Sequence, residues 1–518
     1  MKKNKIDCCF LISTSSKKSY QQLAETYSAI EPPTWALLLA QSMKSVGFSV
    51  KIIDANAEQL SEKEIYERIL KITPKLICLV VYGQNVNAGT ANMRGAVHIT
   101  NYLKQKKINI PICFIGSHVQ AVPKEVLKNE KNIDFVFTNE GVYALRNILK
   151  LNDFNYKYLE NIKGIAYRKE EQIIINTPEQ TVPTEKMDID LPGYAWDLLP
   201  YKKNPLDLYR APMWHAEYDF EKRSPYASIQ TSLGCVFKCN FCMINLINRN
   251  NSEDIGVASE YSKMRFWSPD FIIKEFDKLI SMGIKTIRIV DEMFLLNPKY
   301  YIPLCEKLAE RNKDDSLRMW SYSRIDTIKK PNILKLVRKA GIKWLCLGIE
   351  SGDKSVRLEV AKGKFEDVDV KEVIKTIHEA DINVMGNYIF GLPGDTKETM
   401  KKTFDLSLEL CTAGWNTYAA MALPGSQLYK NAIDNKYKLP ESYEGYSFHS
   451  YETLPLPTES LKPKEILEYR DRSFKIYHTH KPFLERIERR FGKKALVNIN
   501  NMTKISLKRK ILGHKLHE

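Results

Sequence analysis

No stretch of about 18 or more apolar residues occurs in the sequence, so no membrane-spanning helix is expected. The chain also has no internal repeat and no low-complexity run. Cysteine is sparse: ten in 518 residues, three of them clustered and seven scattered. That is not a disulfide framework, and it points to a reducing cytoplasm. A leader is not expected either. Met1-Lys2-Lys3-Asn4-Lys5 is followed by a short apolar run that carries Asp7 and has no small-residue cleavage site, so Ile6 to Ser13 reads as a first β-strand. Acidic residues fall short of basic ones, 62 against 78, giving a net charge of +16. Such an excess is compatible with nucleic acid, a membrane surface or an anionic substrate. Much of it lies late in the chain, in Arg486, Arg489, Arg490, Lys493, Lys494 and Lys508-Arg509-Lys510, where a solvated basic tail is the expected reading.

The length calls for about three domains of ~150 residues. Hydrophobic content of 44% and charged content of 27% are those of an ordinary soluble protein. Residues 1–150 alternate strand and helix signals. Leu76 to Val81, Ile112 to Ile115 and Phe135 to Phe137 read as buried strands, and Pro32-Pro33-Thr34-Trp35 opens a helix that Gly47 ends. Near-continuous apolar strands separated by helices predict a doubly wound, Rossmann-like parallel sheet. Such a sheet binds ligands at the carboxyl ends of its strands, here Tyr82 to Asn85 (including Gln84), Gly116-Ser117-His118 and Thr138 to Gly141 (including Glu140).

Residues 151–220 read as a linker and cap with a hairpin, Ile162 to Arg168 and Gln172 to Asn176. The aromatic stretch Tyr209 to Tyr218 is read either as a surface over a cofactor or substrate or as packing between domains. Residues 221–430 repeat a strand-then-helix unit about every 30 residues, with strands near 227–231, 285–290, 317–322, 343–349, 384–390 and 416–421. Six parallel strands predict a partial, TIM-like (β/α)6 barrel, whose functional residues belong at the carboxyl ends of strands. Asp291-Glu292, Arg324, Glu350-Ser351 and Gly391 to Gly394 stand at those ends. Residues 431–518 read as mostly helical, with Tyr443 to Tyr451 irregular.

The most specific signal is Thr231-Ser232-Leu233-Gly234-Cys235-Val236-Phe237-Lys238-Cys239-Asn240-Phe241-Cys242. Three cysteines stand at Cys-x3-Cys-x2-Cys spacing after a short strand. A tetrahedral zinc or a fully ligated cluster wants four protein ligands. Three thiolates on one loop suit a [4Fe–4S] cluster with one iron open to a small molecule. Three structural cysteines in a loop is the plainer alternative.

This spacing, with the aromatic Phe241 ahead of the last cysteine, resembles the signature of the radical S-adenosylmethionine (SAM) enzymes. The resemblance implies that Cys235, Cys239 and Cys242 hold the cluster. It implies SAM contacts from Phe241, from Glu292 or Asp291, from Arg324 to the SAM carboxylate, from Glu350 and Ser351, and from the Gly391 turn. No residue is singled out as catalytic in its own right. Residues 1–150 are similar to the cobalamin-binding domain that precedes many radical SAM cores. Pro32-Pro33, Gly47-Phe48-Ser49-Val50 with Asp54, Ile115-Gly116-Ser117-His118-Val119 and Asn139-Glu140-Gly141 carry that likeness. Tyr82, Gln84, Asn85, Gly116, Ser117, His118, Glu140 and Gly141 are the implied contacts. The Asp-x-His-x-x-Gly pattern of the lower-ligand form is missing, so a cobalamin without a histidine ligand is implied; His118 lines the pocket, caps a turn or ligates cobalt.

The family chemistry implied is reductive cleavage of SAM, abstraction of a hydrogen atom from an unactivated carbon, and methyl transfer from methylcobalamin to carbon. The expected partners are a small molecule, with a weak leaning to sugar-like compounds, and an external electron donor of flavodoxin or ferredoxin type. No membrane and no nucleic acid are expected. The alternatives are a cobalamin-assisted radical rearrangement or cyclisation without methyl transfer, an RNA methylthiotransferase, and a sensor without turnover. Cys8, Cys9, Cys78 and Cys113 lack the spacing a methylthiotransferase's extra cluster wants.

Overall fold

The buried apolar runs of the first third become a parallel sheet. In the computed structural model, which describes residues 6–13, 16–83, 86–203, 206, 208–328, 331–360 and 367–516, β1 (Cys8–Ile12), β2 (Val50–Asp54), β3 (Leu76–Val80), β4 (Ile112–Ile115) and β5 (Phe135–Phe137) lie in the order β2-β1-β3-β4-β5, all parallel. Their side chains are buried on both faces because helices cover both, Thr34–Ser45 among those on one side and Gly89–Gln105 among those on the other. The strand order reverses between β1 and β3, and that crevice is where a doubly wound sheet takes its ligand.

The hairpin expected within the linker does something else. β6 (Ile165–Lys169) pairs antiparallel with β5, and β7 (Gln172–Ile175) with β6, so the first sheet has seven strands. The physical reason is that β5 would otherwise leave an unpaired sheet edge.

The second sheet is the partial barrel. β8 (Tyr226–Ile229), β11 (Thr286–Ile289), β12 (Arg318–Arg324), β13 (Ile342–Glu350), β14 (Asn383–Phe390) and β15 (Gly414–Ala419) are parallel and lie in chain order. Between the first two of them, β9 (Ser232–Cys235) and β10 (Lys263–Phe266) form an antiparallel pair of their own.

The aromatic stretch 209–218 does not overlie the carboxyl ends of the barrel strands. Trp214 packs edge-on against Trp320 at 4.6 Å and against Trp344 at 5.1 Å, near the amino ends of β12 and β13. The Tyr218 hydroxyl donates to the carbonyl of Ala413 at 2.6 Å, just ahead of β15. Six strands leave the amino-terminal mouth of the barrel open, and these large side chains fill it. The same stretch is tied to the first domain. Ile30 and Arg210 form an antiparallel bridge, and the Tyr209 hydroxyl donates to Asp54 at 3.0 Å.

The C-terminal segment is helical over Pro463–Thr479, Lys481–Phe491 and Lys493–Thr503. Its basic end is not simply a solvated tail. Arg509 is 0% exposed. Its guanidinium pairs with Asp471 through Nε at 2.8 Å and Nη2 at 2.9 Å, and Nη1 donates to the carbonyls of Phe448 and Ser450. A buried arginine is retained only with such complete pairing. Among the described residues, no helix is long and apolar enough to cross a membrane.

Asp54 provides a check on the first domain's contact with the strap. Burial lifts its pKa to about 6, against the hydrogen bonds from the Ala57 amide and the Tyr209 hydroxyl. A carboxyl raised above its unfolded value of about 3.9 adds stability that is complete below that value and is lost as pH rises through its folded value. Denaturant midpoints of wild type and Asp54→Asn, followed from about pH 4 to pH 8, are therefore expected to diverge, the wild type weakening relative to the variant between about 4 and 6. A constant difference across that range would remove Asp54 from the account.

Candidate functional site

The cysteine loop begins at the end of β9. Cys235 is the last residue of that strand and opposes Lys263 of β10. Gly234 has φ +81°, and a Cβ there would sit 2.1 Å from the Lys263 carbonyl oxygen. Only glycine lets β10 come so close, and that contact aims the loop. The Cys235 amide donates to Asn245 Oδ1 at 2.9 Å, and the Asn240 amide to the Val360 carbonyl at 3.1 Å, which pins the loop at both ends.

Cys235, Cys239 and Cys242 all line one cavity of about 190 Å3. Burial pushes the thiols up, to about 12 for Cys235 and about 11 for Cys239, with Cys242 raised as well. The groups that favour their anionic form are in place. The Phe237 amide donates to Cys235 Sγ at 3.4 Å and the Ile244 amide to Cys242 Sγ at 3.5 Å; Arg324 Nη1 reaches Cys239 Sγ at 4.0 Å. Among the described residues, no group of three or more His, Cys, Asp or Glu is drawn together as a single metal ion would require. A cluster that carries its own sulfides between its irons holds its thiolates further apart. Three soft donors with thiolate-stabilising neighbours and no fourth ligand fit such a cluster.

The residues at the strand ends divide into two sets. Phe241, Glu292, Arg324 and Glu350 line the cysteine cavity. Burial raises Glu292 to about 7, with Arg288 pulling down and Asp291 pushing up; it raises Glu350 to about 7 against the pull of Arg324. Glu350 sits at φ +64°, next to a break in the β13–β14 register. Arg324 is engaged by Asp326 through Nε at 2.6 Å and Nη2 at 2.5 Å, and stacks 3.6 Å above the Phe237 ring.

Asp291, Ser351 and Gly391 are not brought into the cavity. Asp291 accepts from the Thr231 amide and hydroxyl and from the Ser232 hydroxyl, fixing the approach to β9. Ser351 is fully buried against Thr403, and a Cβ on Gly391 would run into Ile466 at 2.7 Å, so that glycine admits the Pro463–Thr479 helix.

A second cavity, of about 150 Å3, opens at the switch between β1 and β3. Ile12, Ser13, Val80, Tyr82 and Gly83 line it from the first sheet, and Pro32, Pro33 and Trp35 from the loop and helix start between β1 and β2. It is smaller than a typical ligand pocket of roughly 300–1,000 Å3; Thr14, Ser15, Gln84 and Asn85, adjacent to it in sequence, lie outside the described residues. None of the described residues lining it is a histidine.

Of the cobalamin contacts implied by the resemblance, among the described residues only Tyr82 lines this cavity, together with Pro32 and Pro33 of the motif that carries the likeness. His118 is buried, accepts or donates at 3.1 Å with Thr90, and lies edge-on to Tyr443 at 5.3 Å; burial alone lowers its pKa to about 3. It therefore stays neutral. Gly116 brings the chain against β3, since a Cβ would lie 2.2 Å from the Val81 carbonyl oxygen, and Ser117 packs on Gly89. Gly141, at φ +75°, ends the turn after β5. Glu140 is buried and paired with Arg265 at 2.6 Å.

Ile244 and Glu292 line both cavities. The carboxyl ends of the two sheets thus face each other across a wall one side chain thick. Sequence reasoning missed the pair that secures this arrangement: Glu31, ahead of Pro32, forms an ion pair with Arg288, both buried, and Arg288 lies 4.6 Å from the Trp320 ring. The available signal was a lone charge within the apolar strand Ile287-Arg288-Ile289. Tyr322 and Asn387 of the cysteine cavity were missed as well.

Residues 229–407 match the Radical SAM superfamily and residues 21–149 the B12 binding domain. An uncharacterized methyltransferase of Pyrococcus horikoshii is 26% identical over 418 residues, 80% of this chain and 82% of that protein. The anaerobic magnesium-protoporphyrin IX monomethyl ester cyclase of Cereibacter sphaeroides is 22% identical over 450 residues, 84% of this chain but only 64% of the cyclase's length. Among solved structures, the radical SAM methyltransferase TsrM of Kitasatospora setae, with cobalamin and a [4Fe–4S] cluster bound, superimposes with a TM-score of 0.61 at 16% identity over 83% of this chain and 78% of that one. A B12-binding domain is thus followed by a radical SAM domain, and the cofactors are a [4Fe–4S] cluster, SAM and cobalamin.

The Glu140–Arg265 pair gives a stability test. Glu140→Ala strands a buried guanidinium, which costs about 3–5 kcal/mol. A lowered denaturant midpoint of that order is expected, equally with and without added cobalamin. A variant of unchanged midpoint that binds cobalamin less tightly would return Glu140 to the cofactor.

Proposed function

We propose that this radical SAM enzyme, with its cobalamin-binding domain, transfers a methyl group to an sp3 carbon of a small molecule. The shared wall at Ile244 and Glu292 carries the reading, because it sets the two candidate cofactor cavities side by side. When bound, the cluster and SAM supply hydrogen-atom abstraction and cobalamin supplies a transferable methyl group.

The chain's own residues do the rest. Cys235, Cys239 and Cys242 hold the cluster, with the Phe237 and Ile244 amides and Arg324 favouring their thiolates. Glu292 and Glu350 accept hydrogen bonds from the SAM amine or ribose, and Phe241 packs beside them. Arg324, held by Asp326 through Nε and Nη2, would offer the charge of its Nη1 end to the SAM carboxylate. Asp291, Ser351 and Gly391 act one step back, orienting β9 and the strand ends. Tyr82, Gly83 and the Pro32–Trp35 segment would hold the cobalamin. Ile389, Met421, Leu423 and Phe448 keep water from the reacting carbon. An external one-electron donor of flavodoxin or ferredoxin type supplies the reducing equivalent.

Likeness to the Pyrococcus methyltransferase supports methyl transfer. A second reading, ring closure without methyl transfer, is favoured by the likeness to the Cereibacter cyclase. An RNA methylthiotransferase is not favoured, since Cys8, Cys9, Cys78 and Cys113 are fully buried within sheet strands.

The deciding experiment supplies methyl-labelled SAM, reductant, cobalamin and a small-molecule extract to the anaerobically reconstituted enzyme. Label in a product together with 5′-deoxyadenosine is expected. Deoxyadenosine with an unlabelled product would replace methyl transfer by ring closure. Replacing any one of Cys235, Cys239 and Cys242 by alanine is expected to remove the cluster's visible absorption and bring deoxyadenosine to background. Gly234→Ala is expected to reduce bound iron several-fold, with the circular dichroism of the fold retained.

A further inference from the structure

Outside the two cavities lies a third hollow, of about 700 Å3, within the size of a ligand site. Its walls come from three parts of the chain far apart in sequence: residues 18–22, residues 441–452 with Arg94, and residues 505–516. Only a thin partition separates it from the reaction space. Within residues 18–22, Tyr20 lines the cavity at the switch point while Lys18, Gln21 and Gln22 line the outer hollow. Within residues 448–451, Phe448 lines the cysteine cavity while Ser450 and Tyr451 line the outer hollow. Tyr20 stacks on His449 at 5.5 Å, and Gln21 Nε2 donates to the His449 carbonyl at 2.7 Å and to that of Lys508 at 3.1 Å. Those contacts, with Arg509 on Phe448 and Ser450, are what shut the partition.

The charges of the hollow are not balanced. Arg94 is paired with Glu444 and Lys510 with Glu452, and Glu441 is engaged by Lys438. Among the described residues, Lys18 and Lys508 have no carboxylate at ion-pair distance. Two exposed ammonium groups without a carboxylate partner, on segments that meet where Gln21 bonds the Lys508 backbone, line the hollow together with Ser442 and Ser506 and suit an anion.

We propose that this hollow is the vestibule through which the substrate enters, and that the substrate carries an anionic group, phosphate or carboxylate, held by Lys18 and Lys508. The proposal rests on the small-molecule reading above. Opening the partition requires that the Tyr20–His449 stack part and that Gln21 release the His449 carbonyl, after which the uncharged end of the substrate reaches the inner cavities while its anion stays outside. That division keeps charge and its water away from the radical chemistry.

The test uses the full chain with cluster and cobalamin in place, titrated calorimetrically at low ionic strength with inorganic phosphate and, separately, with acetate. Millimolar binding of one of them is expected, and the one that binds names the anion. The Lys18→Gln/Lys508→Gln variant is expected to bind at least about tenfold more weakly, with its cluster and cobalamin spectra unchanged. Absence of binding by either anion, or equal binding by wild type and variant, would overturn the proposal. Because the titration does not depend on turnover, a failure of labelled methyl transfer leaves its result standing, and the reverse also holds.

Discussion

The ion pair between Glu31 and Arg288 is the contact on which the arrangement of this protein depends. It joins a loop of the first sheet to the second strand of the barrel, with Arg288 against the Trp320 and Tyr322 rings and Glu31 on the wall of the switch-point cavity. Two charges in such a place are stable only while both are present and well oriented, since the loss of either leaves the other buried and alone. With the Ile30–Arg210 bridge, the Tyr209–Asp54 hydrogen bond and the Glu140–Arg265 pair, it ties the two domains together. The carboxyl ends of the sheets then face each other, and Ile244 and Glu292 become common property of both cavities.

Closure at the other end of the barrel has a different physical origin. Six strands cannot close a cylinder, and the amino-terminal mouth would admit water. Trp214 and its neighbours fill it by bulk and ring contact rather than by charge. Charge pairing at the top and aromatic filling at the bottom thus close the two ends of the barrel by different means.

Much of this was legible in the residues. Buried apolar runs gave away the strands of the first sheet, because a strand covered on both faces is apolar throughout, and the strand-then-helix spacing gave away those of the second. The cysteine spacing and the residues Phe241, Glu292, Arg324 and Glu350 were legible because the chain places them at the ends of regular strands. What the sequence hid was mostly partnership. Glu140 and His118 stand in strand-end loops as binding residues do, yet one is neutralised by Arg265 and the other buried beside Tyr443. Gly391 reads as a site for a ligand's close approach, and a helix from the C-terminal segment takes that place. Arg509 reads as one more solvated cation, and its carboxylate partner, Asp471, comes from a different helix. Local patterns report which elements form; they do not report which side chain from a distant element will meet them.

The strap of residues 209–218 bears on how this molecule can move. It is fastened to the first domain through Arg210 and Tyr209, and seated in the barrel of the second through Trp214 and Tyr218. A hinge between the two domains would have to draw that seat out, exposing several tryptophan and tyrosine rings at once. The enzyme is in this sense a clasped case rather than a pair of jaws. Parting the domains would therefore cost the exposure of those rings, whereas displacement of the surface segments around the cavities would not.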